Sequence, residues 1–166
     1  VEGVSILFTD FNDFTKLSEQ MDAQALVGEI DACFKVFDAI CLRHGIEKIK
    51  TIGDAYMCAG GLPASREGSA ESTVRAALEM QDAIERRAAE RSAAGLPAFR
   101  MRAGIHTGTV VAGIVGDTKF QYDLWGDAVN IAARMESASE VGRVNISAAT
   151  FALVKDAPGL SFAARG

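Results

Sequence analysis

The sequence is short of several things, and each shortage removes a class of protein. No apolar run approaches the roughly 18 to 20 residues that span a bilayer, and no signal peptide opens the chain, so direct membrane insertion by this domain is not expected. There are only three cysteines, Cys33, Cys41 and Cys58. Their odd number and the lack of a CxxC spacing argue against a zinc site, and they read as reduced core thiols in a cytoplasmic compartment. Basic charge is scarce, with 17 Lys and Arg against 22 Asp and Glu and a net charge of −5. That argues against a nucleic-acid partner, while a local basic site for a phosphorylated ligand stays open. Neither GxxxxGK[ST] nor GxGxxG occurs, which disfavours P-loop and Rossmann sites, and no Ser-His-Asp or Cys-His arrangement is suggested by position.

What is present is a chain of 166 residues, 49% apolar, long enough for one domain with a proper core and without repeats or low-complexity linkers. Val4 to Thr9 reads as a buried strand ending in Asp10. From Asp22 to Arg43 apolar residues recur every three or four positions, and His44-Gly45 reads as a helix stop. A hairpin is expected at about residues 46 to 60, with Asp54 at its tip, followed by a break at Gly60-Gly61-Leu62-Pro63. A second helix, from about Ala70 to Ala94, carries Arg and Glu runs that read as a solvated face. Phe99, Met101, Ala103 and Ile105 then alternate with Arg100, Arg102, Gly104 and His106, the period-two pattern of a strand with one buried face. Val110 to Val115 reads as its hairpin partner. A helix at about Asp127 to Ser137, a short strand at Val144 to Ser147 and a short helix at Ala148 to Val154 complete the chain. The order predicts an α+β fold, a ferredoxin-like β-α-β-β-α-β core with a C-terminal extension.

Asp10 and Asp54 both stand where an apolar strand gives way to a loop. Converging, they form a pair of hard oxygen ligands that leaves most of a coordination sphere open, as suits Mg²⁺ bound with a nucleotide. The alternative is two independent turn aspartates, since Asp readily bonds its own backbone in turns. His106, alone on its strand, reads as a structural group, and no general base stands out.

Three separated stretches change the balance: ILFTDF from Ile6, KIKTIGDAYM from Lys48, and FQYDLWGDAVNIAARMES from Phe120. Together, and in this order, they resemble the class III nucleotidyl cyclase catalytic domain from about Val4 to Val154, nearer its adenylyl than its guanylyl members. The resemblance implies the class III cyclase fold and conversion of ATP to 3′,5′-cyclic AMP and pyrophosphate. It implies that Asp10 and Asp54 hold two metal ions, Mg²⁺ or Mn²⁺, with the carbonyl of Phe11 a further ligand. The backbone of Phe11, Asn12, Asp13 and Phe14 would face the triphosphate. Asn130 matches the ribose-orienting asparagine and Arg134 the transition-state arginine; Arg102 matches a phosphate-contacting arginine less securely.

Lys50 and Asp123 stand where guanylyl members typically carry Glu and Cys. An ammonium and a carboxylate suit adenine, which offers a ring-nitrogen acceptor beside an amine donor. Lys48 is the neighbouring alternative on the same alternation face. The family places its sites at a head-to-tail dimer interface, so a homodimer is expected, with Asp10 and Asp54 of one chain facing Lys50, Asp123, Asn130 and Arg134 of the other. Residues 1–166 are expected to be a single catalytic domain excised from a longer chain whose other domains carry regulation and possible membrane attachment. The family's C-terminal triphosphate lysine would fall beyond Gly166. The competing readings are a guanylyl or mixed-specificity cyclase and a non-catalytic nucleotide-sensing dimerisation domain.

Overall fold

The computed structural model describes residues 1–62, 69–116 and 121–164; Pro63 of the expected break and Phe120 of the third motif lie outside them. The chain runs β1 (Val4–Phe11), α1 (Phe14–Ser18), α2 (Ala23–His44), β2 (Glu47–Ile52), β3 (Ala55–Gly60), α3 (Ser69–Ala93), β4 (Met101–Gly108), β5 (Val111–Val115), β6 (Gln121–Trp125), α4 (Asp127–Ser137), β7 (Val144–Ile146) and α5 (Ala148–Val154). The main sheet has the order β2-β3-β1-β4-β7. Its first four strands are antiparallel neighbours, the ferredoxin-like arrangement, and β7 adds to β4 in parallel.

Alternation along the strands sends alternate residues to two cores. Leu7, Tyr56, Cys58, Met101, Ala103 and Ile105 meet α2 and α3 on one face. Val4, Ile6, Phe8, Met57 and Ala59 meet α4 and β6 on the other. Both ends of α2 match local chemistry: at its start the Asp22 side chain accepts from Ala25 N at 2.8 Å, and Gly45 closes it in the left-handed conformation. All three cysteines are buried free thiols, and no helix among the described residues is long and apolar enough to cross a membrane.

Three expectations need correcting. Residues 110–115 do not return along β4; β5 instead pairs with β6 in a separate two-stranded ribbon, from Val111 opposite Trp125 to Val115 opposite Gln121. Both sides of β4 are already occupied, by β1 and β7, so no ladder is open to it. The arginines of α3 are not all solvated. Arg87 and Arg91 reach inward to Glu29 of α2, which is only 5% exposed, and clamp the two helices together. Lys48 and Lys50 do not share a face, because a bulge at Ile49 sets Lys48 opposite Cys58 and Lys50 opposite Met57. The extra residue reverses the side-chain parity between them.

Candidate active site

On the face of the sheet covered by α4, the last side chain of β1 is that of Asp10, one residue before the strand ends at Phe11. Arg102 of β4 lies directly opposite in the ladder and therefore on the same face. It grips Asp10 with two bonds, Nε to Oδ1 at 3.1 Å and Nη2 to Oδ2 at 2.9 Å. The turn between β2 and β3 brings in Asp54; Gly53, with φ of 59°, permits the tight corner. Phe11 N donates to Asp54 Oδ2 at 3.0 Å, which ties the hairpin tip to the end of β1. The two aspartates thus converge, and both line an open cavity of about 530 Å³ together with Phe11, Asp13, Lys16 and Arg102.

The electrostatics reflect this crowding. Burial pushes the Asp54 carboxyl above its usual range, against the pull of the Phe11 N–H, and Asp10 adds to the rise. Glu136 of α4, 6% exposed, is pushed up to about 8, mainly by burial and then by Asp10. Arg102 is held above its ordinary value by its bond to Asp10.

Phe11 itself is buried, stacked on Phe99 at 4.6 Å, so only its backbone is available to the cavity. The loop after it is partly committed. Phe11 N serves Asp54 and Asn12 N donates to Arg100 O at 2.7 Å. Among the described residues the N–H groups of Asp13 and Phe14, at the start of α1, have no such internal acceptor, and Asp13 takes a left-handed φ of 54°.

A second group forms elsewhere on the same face. Lys50 Nζ donates to Asp123 Oδ2 at 2.9 Å, and Asp123 Oδ1 accepts from Leu124 N at 2.8 Å. The Ile49 bulge decides which lysine is used. Lys48 points to the other side, 3.2 Å from Asp38 and over the ring of Tyr56. On α4, Ala128, Ala132 and Glu136 recur every fourth residue as the buried stripe, and Asn130 and Arg134 project together from an exposed face without a side-chain partner among the described residues. None of Lys50, Asp123, Asn130 and Arg134 lines the cavity at Asp10 and Asp54.

Glu136 escaped the sequence reading, although a signal for it existed. It falls at the spacing of the buried alanines, where a carboxylate is out of place. Gly104, in the middle of a strand, is the matching signal for close backbone approach. An added Cβ there would lie 2.0 Å from Glu136 N, so α4 sits directly on β4.

A ferredoxin-like sheet with two convergent carboxylates at the end of β1 and the β2–β3 turn, and a lysine–aspartate pair held apart from them, is the architecture of a class III nucleotidyl cyclase domain. The family model described as the adenylate and guanylate cyclase catalytic domain matches residues 1–166, and the chain belongs to that family. It is 41% identical over 156 residues to adenylate cyclase type 9 of Gallus gallus, a match covering 94% of this chain and 11% of that protein. Among solved structures, the adenylyl cyclase CyaB from P. aeruginosa superposes with a TM-score of 0.87 at 31% identity, covering 94% of this chain and 82% of that one. The guanylate cyclase domain of RhGC from Catenaria anguillulae, in complex with GTP, gives 0.86 at 34% identity, covering 93% and 83%.

Proposed function

We propose that this domain is an adenylyl cyclase that converts ATP to 3′,5′-cyclic AMP and pyrophosphate at sites shared between two copies of the chain. The observation that carries the proposal is the separation of the two groups. The acidic cavity holds Asp10, Asp54 and Arg102, whereas the Lys50–Asp123 pair and the exposed Asn130 and Arg134 line no part of it. One nucleotide needs both groups, and a second chain placed head to tail supplies the missing one.

The donor set fits divalent metal. Two carboxylates converge, with the Phe11 carbonyl adjacent, and among the described residues no third His, Cys, Asp or Glu completes a closed cage. Such an open set leaves positions for substrate oxygens. Two Mg²⁺ or Mn²⁺ ions held there would supply Lewis acidity at the α-phosphoryl group and at the ribose 3′ hydroxyl.

The protein groups do the rest. Lys50 donates to the adenine ring nitrogen and Asp123 accepts from its exocyclic amine. Their existing bond holds both side chains in position before the base arrives. Asn130 orients the ribose. Arg134, one turn further along α4, stabilises the charge that develops at the α-phosphate as the 3′ oxygen attacks, a contribution of about 3 to 4 kcal/mol for a preorganised donor. Arg102 and the N–H groups of Asp13 and Phe14 take the pyrophosphate end. Guanine presents the opposite donor and acceptor pattern to Lys50 and Asp123, leaving both unpaired at a cost of about 1 to 3 kcal/mol each. The chain spans a small share of its long animal relative, which supports further, regulatory domains in a parent protein.

The test is an assay with Mg²⁺ or Mn²⁺ that compares ATP with GTP, identifies the cyclic product and varies protein concentration. Cyclic AMP should form, with a rate per chain that rises with concentration as dimers assemble. Cyclic GMP as the main product, or full activity from a demonstrated monomer, would refute the proposal.

A further inference from the structure

Glu136 sits below the acidic cavity in an unfavourable position. Its Oε2 is buried and has no hydrogen-bond partner, a costly state for a carboxyl oxygen, and the group also lies against Asp10. The close seat of α4 on Gly104 holds it there. The cation next to it is Arg102, whose Nε lies 3.7 Å from this oxygen, beyond hydrogen-bond reach. Arg102 stands between two carboxylates and bonds only one of them, Asp10.

We propose that Glu136 is a positioning residue that receives Arg102 when a divalent cation takes Asp10. The proposal rests on the reading of Asp10 and Asp54 as metal ligands. Both oxygens of Asp10 accept a bond from the guanidinium and each keeps a second lone pair, so a metal ion reaches this carboxylate against the positive charge already seated on it. Closing the gap from Nε to Glu136 Oε2 to a charge-assisted bond takes a movement of about 1 Å. That movement frees Asp10 and gives the orphan oxygen its donor. It also keeps the guanidinium charge paired rather than exposed to the incoming cation. Anchored through Nε, Arg102 keeps its Nη groups at the wall of the cavity, where the phosphate tail lies. Glu136 is not itself a third ligand, since no set of three such residues among those described is placed to hold a metal. Its effect passes through Arg102.

The experiment is a Mn²⁺ titration of the chain without nucleotide, read by calorimetry and by the rise in melting temperature. It uses the wild type, Asp10→Asn, Glu136→Gln, Arg102→Met and the Glu136→Gln/Arg102→Met double variant. Gln keeps the shape of Glu, and melting without Mn²⁺ verifies that each variant is folded. Glu136→Gln should weaken Mn²⁺ binding by about tenfold, because a neutral amide oxygen is a weaker acceptor for the guanidinium than a charged one. Arg102→Met should tighten it by removing the competitor. In the Arg102→Met background the Glu136 substitution should change affinity by less than about twofold, a coupling only a shared partner produces. An equal loss in both backgrounds would mean that Glu136 acts through its field alone, and it would overturn the handover, as would unchanged affinity in Glu136→Gln. If Asp10→Asn binds Mn²⁺ like the wild type, the metal reading fails and the handover with it. If Asp10→Asn loses Mn²⁺ while Glu136→Gln does not, the handover alone fails.

Discussion

Replacing Gly104 with alanine perturbs the helix that carries Asn130 and Arg134 without touching either residue. The added methyl would lie 2.0 Å from Glu136 N, 2.4 Å from Met135 C and 2.5 Å from Glu136 Cα. Ordinary contacts lie near 3.5 Å or more. All three obstructing atoms are backbone, so no rotamer relieves the clash, and the C-terminal turn of α4 must retreat by more than about 1 Å. Overpacking of this kind costs about 1 to 3 kcal/mol. In a domain of this size each kcal/mol lowers the melting temperature by about 2 to 4 °C, a fall of roughly 2 to 12 °C. Arg134 lies two residues before Glu136 and moves with it. A misplacement of about 1 Å in a transition-state donor is worth about a hundredfold in rate. The assay is turnover of ATP, beside melting and sedimentation to verify that the variant still folds and dimerises. A folded Gly104→Ala variant with wild-type kcat and melting temperature would refute the claim that the β4 seat positions α4.

Other consequences follow from the same geometry. Lys50→Glu combined with Asp123→Cys should move substrate preference from ATP towards GTP, measured as the ratio of kcat/KM values; an unchanged ratio would remove Lys50 and Asp123 from base reading. Burial lowers the His106 pKa below its ordinary value of 6.5, against the opposing pull of Asp127, while its Nδ1 lies 2.7 Å from Ser147 Oγ, the cap of α5. The fold therefore favours the neutral ring. Its contribution to stability is complete above the unfolded pKa near 6.5 and is lost as pH falls from there through the depressed folded value. Melting curves from pH 7 to 5 should show a steeper loss in the wild type than in His106→Gln, and parallel curves would contradict this. Lys48→Met should reduce stability by about 1 kcal/mol or less, as for a partly exposed ion pair, and leave the ATP to GTP ratio unchanged, because Lys48 faces Asp38 and Tyr56.

Much of this architecture was legible in the residues. The long helix over 23–44 declared itself through its apolar period and its Gly45 stop, and β4 through strict alternation. Where reading failed, the cause was non-local. Val111 to Val115 has the pattern of a hairpin strand, but which strand it pairs with depends on β7 having taken the other side of β4, and β7 arrives about thirty residues later in the chain. The Ile49 bulge inserts one residue without any Gly or Pro to mark it, so the equal parity of Lys48 and Lys50 misled. Asp10 and Asp54 were recognisable as strand-end carboxylates, yet their convergence depends on the bond between Phe11 N and Asp54, which no local pattern encodes. Arg87 and Arg91 look like surface charge until Glu29 is found buried beneath them.

The shared site is tested most directly by mixing two inactive chains. Asp54→Ala removes a carboxylate from the acidic cavity, and Arg134→Ala removes the donor from the exposed face of α4. In a head-to-tail dimer of the two variants, one site carries both lesions and the other carries neither. Each variant alone should be nearly inactive towards ATP, and an equimolar mixture allowed to exchange subunits should recover about a quarter of wild-type activity, since half the dimers are mixed and each holds one intact site. A mixture no more active than its separate components, with subunit exchange demonstrated, would contradict a site built from two chains.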